Sequence, residues 1–175
     1  LGDVYKRQIS KGSLVYQNPS LWWSALIKNL TFLKTKIELN KIERLSIDGT
    51  SGTVLITDHL GNPLDNALMY NDASALKESK LVESISDNHP IVSTSTNALV
   101  RALSLINKLK KEKYRILHQA DWLARKIIDD YMYSDENNAL KLGYDCIERS
   151  WPKWFDRLPI EMNSLPNIKI PGQSI

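Results

Sequence analysis

Between Asp48 and Pro63 the chain places one β-branched apolar run between two breaker-rich stretches. The run is Thr53-Val54-Leu55-Ile56-Thr57, and its flanks are Asp48-Gly49-Thr50-Ser51-Gly52 and Asp58-His59-Leu60-Gly61-Asn62-Pro63. A short run rich in Val, Ile and Thr and bounded by Gly, Asp, Asn and Pro reads as a strand. Ile42 to Ile47 reads as a strand just before it, and Ala67-Leu68-Met69-Tyr70 as one just after, ending at Asn71-Asp72. Strands joined by a tight loop and a turn predict a hairpin or meander, because a βαβ unit needs a helical crossover.

The rest of the chain carries helical spacing. Asn18-Pro19-Ser20 is a start signal, and Leu21, Trp22, Ala25, Leu26, Leu30 and Leu33 recur at threes and fours. This predicts a helix of about five turns, to near Leu39. Ser74 to Ile85 reads as a helix broken by Ser86-Asp87-Asn88-His89-Pro90. Thr96 to Lys113 reads as a long amphipathic helix burying Leu99, Leu103, Ile106 and Leu109. Further helices are expected over Ala120 to Asp130, over Glu136 to Leu140 with Ser134-Asp135 as its cap, and over Ser150 to Arg157, where Trp151, Trp154 and Phe155 cluster. Strands come early and helices late, so the class is α/β or α+β, with a sheet short of strands.

The chain has 175 residues, which suits one domain or one piece of a larger one. At 42% hydrophobic and 25% charged residues it matches a folded globular chain, which excludes wholesale disorder. A single cysteine, Cys146, excludes an internal disulfide framework and a multi-cysteine zinc site. A net charge of +3 is too small to imply a nucleic acid or a membrane surface as partner. Leu1 to Gln8 lacks the apolar core of a signal peptide, and a cytoplasmic setting is expected. Residues 1–8 resemble a translated adapter and are expected to be a non-native leader; both ends look cut, leaving 9–175 as an incomplete domain.

The loop at 48–53 is the first candidate site. Gly49 and Gly52 remove side chains so that backbone N–H groups can approach a ligand. Thr50, Ser51 and Thr53 add hydroxyls and Asp48 an acceptor, the short mixed donors and acceptors that a polyhydroxylated ligand needs. The same residues also suit a plain strand connection. Asn71 and Asp72, at a strand end, are the second candidate, with a turn as the alternative. Ser134-Asp135-Glu136-Asn137-Asn138 offers oxygens for a hard cation, although a helix cap explains it more economically. His118 and Asp121 at a helix start read as a packed pair rather than as catalytic groups. No glycine-rich phosphate loop of the usual form is present.

Five ordered blocks together resemble the FGGY family of carbohydrate kinases. They are Gln17 to Leu26, with Pro19-Ser20-Leu21-Trp22-Trp23; Leu45 to Asp58, with Gly61-Asn62-Pro63-Leu64; Ala67 to Asp72; Tyr114 to Leu123; and Ser134 to Asp145. Asp48-Gly49-Thr50-Ser51-Gly52-Thr53 and the last block are most similar to the D-ribulokinase and xylulokinase-like group of cyanobacteria and plants. The resemblance implies a ribonuclease H-like domain of the actin-like ATPase arrangement, with a mixed sheet and flanking helices. It implies transfer of the ATP γ-phosphoryl group, with Mg²⁺, to a hydroxyl of a ketopentose such as D-ribulose or D-xylulose. Ser51 and Gly52 would face the sugar, Thr50 and Asp48 would support the loop, and Asn71 and Asp72 would be weaker contacts. The catalytic base, the nucleotide site and a C-terminal kinase domain are expected beyond residue 175, so the chain alone is expected to be inactive. The cytosol of a cyanobacterium, or a chloroplast, is the implied setting.

Two departures stand out. Many members carry Arg two residues after the Asn-Asp pair, where this chain has Ser74. The usual Leu-Thr-Gly after the Asp121 helix is replaced by Ile128-Asp129-Asp130. A second function class also fits the sequence: a non-catalytic protein-binding module presenting Trp23 and the basic helix end near Lys110.

Overall fold

In a computed structural model, the described residues are 7–86, 92, 94–109, 113–128, 132–170 and 173. The strands are β1 (Ile9–Lys11), β2 (Leu14–Gln17), β3 (Val54–Thr57), β4 (Ala67–Leu68), β5 (Arg115–His118), β6 (Tyr133–Asp135) and β7 (Asn167–Lys169). The α-helices are α1 (Ser20–Lys34), α2 (Leu76–Ile85), α3 (Ala98–Ile106), α4 (Gln119–Ile127) and α5 (Glu136–Lys141). Five strands form one sheet in the order β1-β2-β4-β3-β5, with every neighbouring pair antiparallel. Parallel pairing occurs between β6 and β7, which form a separate sheet.

The central strand explains the layering. All four residues of β3 are buried, and successive side chains point to opposite faces. Val54 and Ile56, with Ile116 of β5 and Leu68 of β4, join the larger core. α3 contributes Leu99, Leu103 and Leu105 to that core, and Phe155 and Leu158 close its far side. Leu55 and Leu117 point the other way, into a second core with Trp122 and Leu123 of α4, against which Trp22, Trp23 and Leu26 of α1 pack. The result is a sheet with helices on both faces, and the α/β class with flanking helices follows directly.

Several elements differ from the sequence expectation. The first helix stops at Lys34, and the Thr35 hydroxyl at its C-cap turns back onto the Phe32 carbonyl at 2.7 Å. Ile42 to Ile47 is extended loop, with Ile42 and Leu45 41% and 57% exposed. It forms no strand, and it cannot pair with β3, whose two edges are taken by β4 and β5. The long helix expected over 96–113 is confined to Ala98–Ile106, opened by Asn97, whose side chain accepts from Leu99 N at 2.7 Å. Over Ser150 to Arg157 only Lys153–Arg157 is helical, as a tight 3₁₀ turn following Pro152. β1, β2, β5, β6 and β7 were not expected from the sequence. Among the described residues no helix is long and apolar enough to cross a membrane.

Candidate functional site

The 48–53 loop leads into β3 and leans on the start of α4. Gln119 Oε1 accepts from Thr50 N at 2.7 Å, and Gln119 N donates to the Thr53 carbonyl at 3.2 Å. The loop closes on itself through Thr53 N to the Thr50 carbonyl at 3.1 Å. Gly52 takes a φ of 78°, a left-handed conformation that suits glycine, and it is buried. Asp48 and Ser51 are exposed, Gly49 and Thr50 half-buried, and Thr53 fully buried. The main chain is therefore less available to a ligand than the glycine pattern suggested. The amide of Thr50 and the carbonyl of Gly52 both have internal partners. Ser51 is the hydroxyl that the loop offers outward.

Asn71 and Asp72 follow β4 and divide sharply. Asn71 is exposed, whereas Asp72 is fully buried. The Asp72 carboxylate accepts from Val15 N at 2.7 Å and from the Ser74 hydroxyl at 2.9 Å. It thus joins the β4 end to β2 and anchors the segment from beneath. The Ser74 position, where Arg was expected, supplies that hydroxyl.

A residue that pattern reasoning passed over brings the two loops together. Arg101 lies mid-helix in α3, 1% exposed. One guanidinium nitrogen, Nη1, donates to the carbonyls of Tyr70 at 2.9 Å and Asp72 at 3.3 Å, and also to that of Thr96. The other, Nη2, donates to the Gly52 carbonyl. Burial lowers its pKa to about 10, with the Asp72 charge acting against that shift, so it remains a cation at neutral pH. The sequence signal was one charge inside the apolar run Ala98-Leu99-Val100-Arg101-Ala102-Leu103.

The other candidates resolve into structure. Asp135 caps α5, accepting from Asn138 N at 3.0 Å and Asn138 Nδ2 at 2.7 Å. Asp121 is buried in the first turn of α4 and accepts from His118 N at 3.1 Å. Burial raises Asp121 to about 7 and depresses His118 to about 4, so both groups prefer to be neutral. Trp23 is half-buried against the second core, with the Lys126 ammonium 5.5 Å from its ring centre. Lys110 lies outside the described residues, and Arg115 is committed to the Asn163 carbonyl at 2.8 Å.

No protein-family model matches the chain. The xylulose kinase of Staphylococcus xylosus is 21% identical over 164 residues, covering 86% of this chain and 33% of that enzyme. Among solved structures, a ligand-bound xylulose kinase from Lactobacillus acidophilus is similar with a TM-score of 0.80 at 17% identity, over 94% of this chain and 36% of that one. A Plasmodium falciparum glycerol kinase with ADP is similar with a TM-score of 0.74 at 22% identity, over 93% of this chain and 36% of that one. The fold is thus one found in sugar and polyol kinases. In sequence as well as in fold, the chain is similar to FGGY carbohydrate kinases, and it spans about a third of the length of the relatives it matches.

Proposed function

We propose that this chain is the sugar-holding part of an ATP-dependent sugar kinase acting on a ketopentose such as D-ribulose or D-xylulose. The observation that carries this reading is the placement of Ser51 and Asn71. Both are exposed, and each is adjacent to a backbone carbonyl, of Gly52 or of Tyr70, held by the same guanidinium. A hydroxyl and a carboxamide each donate and accept, which matches the alternating hydroxyls of a sugar. Thr50 and Asp48 shape the loop, Gly52 permits its turn, and Asp72 fixes the second segment from beneath. The similarity in sequence to a xylulose kinase supports a ketose as acceptor.

Phosphoryl transfer needs a base, a nucleotide and Mg²⁺, and catalysis is mainly positioning and charge neutralisation. Among the described residues no group of three or more His, Cys, Asp or Glu side chains is placed to hold a metal ion. The sequence carries no glycine-rich phosphate loop of the usual form. We assign Mg²⁺ and ATP, with the base, to a C-terminal kinase domain. The role left to this chain is to bind and orient the acceptor, in a cytoplasmic setting.

The test extends the open reading frame on both sides and assays the product with ATP against D-ribulose, D-xylulose, glycerol and gluconate. Phosphorylation of a ketopentose ahead of the others is expected. A product that phosphorylates no sugar or polyol overturns the proposal, as does downstream sequence with no second α/β domain.

A further inference from the structure

We propose that Arg101 is a positioning residue for the sugar, locking the Ser51 and Asn71 loops at a fixed separation and so setting which ketose the site accepts. This inference rests on the sugar-kinase reading and adds to it a residue that never touches the ligand. Arg101 sits in α3 among Leu99, Val100, Ala102 and Leu103, all fully buried and apolar. An aliphatic side chain there would fill the space without the cost of burying a charge. What it would not do is partner the carbonyls of Gly52, Tyr70, Asp72 and Thr96, which the guanidinium binds.

These carbonyls come from three separate segments. Gly52 directly follows Ser51, and Tyr70 directly precedes Asn71. A planar fork with five donors can hold acceptors on several sides at once; an ammonium has three donors around one point and cannot reproduce that span. A Cβ on Gly52 would lie at ordinary contact distance, 3.4 Å from Arg101 Nη2 and 4.0 Å from Tyr70 Cβ. The sheet joins the two segments through the pairing of Val54 with Leu68, while the side-chain anchors serve the loops separately: Gln119 holds Thr50, and Val15 with Ser74 holds the Asp72 carboxylate. Arg101 spans both. A small misplacement of binding groups is costly in affinity and in discrimination, because near-identical sugars differ only in hydroxyl geometry.

The experiment compares the full-length enzyme with its Arg101→Lys and Arg101→Met variants. KM and kcat are measured for D-ribulose, D-xylulose and ATP, and melting temperatures are taken alongside. For Arg101→Lys the ketose KM should rise about tenfold with the KM for ATP unchanged, and the preference between the two ketopentoses should shrink. Arg101→Met, where it folds, should lose more of the preference than Arg101→Lys. Unchanged ketose KM and preference in Arg101→Lys overturns the inference while leaving the sugar-kinase reading standing. A parallel rise in the KM for ATP also overturns it, since that marks general loosening. If the wild-type enzyme phosphorylates no sugar or polyol, the reading beneath it fails and the inference falls with it.

Discussion

The Asp72 carboxylate accepts the backbone N–H of Val15 at 2.7 Å, across 57 residues of sequence. This contact supplements the β2–β4 ladder, which pairs Tyr16 with Leu68 and Gln17 with Ala67 and is continued by Met69 N donating to the Val15 carbonyl at 3.0 Å. Replacing Asp72 with Ala should cost about 1–3 kcal/mol, because the Val15 donor is left without its acceptor. Asp72→Asn keeps an acceptor and should cost less. Urea unfolding followed by circular dichroism measures both, and equal losses would contradict this role.

Gly52 sets the second prediction. Its φ of 78° is unfavourable for any residue with a Cβ, although the nearest atom to that Cβ, Arg101 Nη2, is at an ordinary contact distance of 3.4 Å. Gly52→Ala should therefore fold normally but lose about 1–2 kcal/mol from backbone strain. Calorimetric melting tests this, and an unchanged midpoint would show that the loop relaxes freely.

The paired shifts at His118 and Asp121 predict how stability varies with pH. His118 falls from 6.5 to about 4 on folding, so the unfolded chain binds more protons across that interval and stability rises with pH there. Asp121 rises from 3.8 to about 7, so the folded chain binds more protons and its contribution falls as pH rises over that interval. The two slopes oppose each other between about pH 4 and 6.5, leaving the contribution of this pair nearly flat. Asp121→Asn removes one slope. The variant should then gain on the order of 3 kcal/mol relative to wild type on going from pH 4 to pH 6.5. Denaturant titrations at half-unit pH steps test this, and parallel curves for the two proteins would refute it.

Trp122 gives a packing prediction. Its Nε1 donates to the Gly61 carbonyl at 2.9 Å, and its ring meets that of Trp22 edge-on at 6.0 Å. Trp122→Phe retains an aromatic ring but orphans a buried carbonyl, for a loss of about 1–3 kcal/mol. A stability equal to wild type would mean that the Gly61 turn finds another donor.

The β-branched run at 53–57 made β3 legible, and Pro19-Ser20 with the Leu and Trp spacing marked the start of α1. Asp135 was legible as a cap because capping chemistry is local. β5 was hidden: Arg115-Ile116-Leu117-His118 is too short for periodicity and adjoins a Lys-rich stretch. It becomes a strand through the register Val54–His118, Leu55–Leu117 and Ile56–Ile116, a long-range pairing with no local signature. In the candidate site, Ser51 and Asn71 are legible as contacts through the family resemblance; turn chemistry alone favours a strand connection and a strand-ending turn. The burial of Asp72 and the partners of Arg101 depend on which segments fold against one another, and that is not written in either stretch.

Arg101 donates to the main-chain oxygens of Gly52, Tyr70, Asp72 and Thr96. Every amino acid carries such an oxygen, so Tyr70 and Thr96 can drift in evolution or in a mutant library without releasing the grip. A change of Arg101 itself breaks it. Diversified libraries of this domain should therefore tolerate variety at those two positions and purge changes of Arg101.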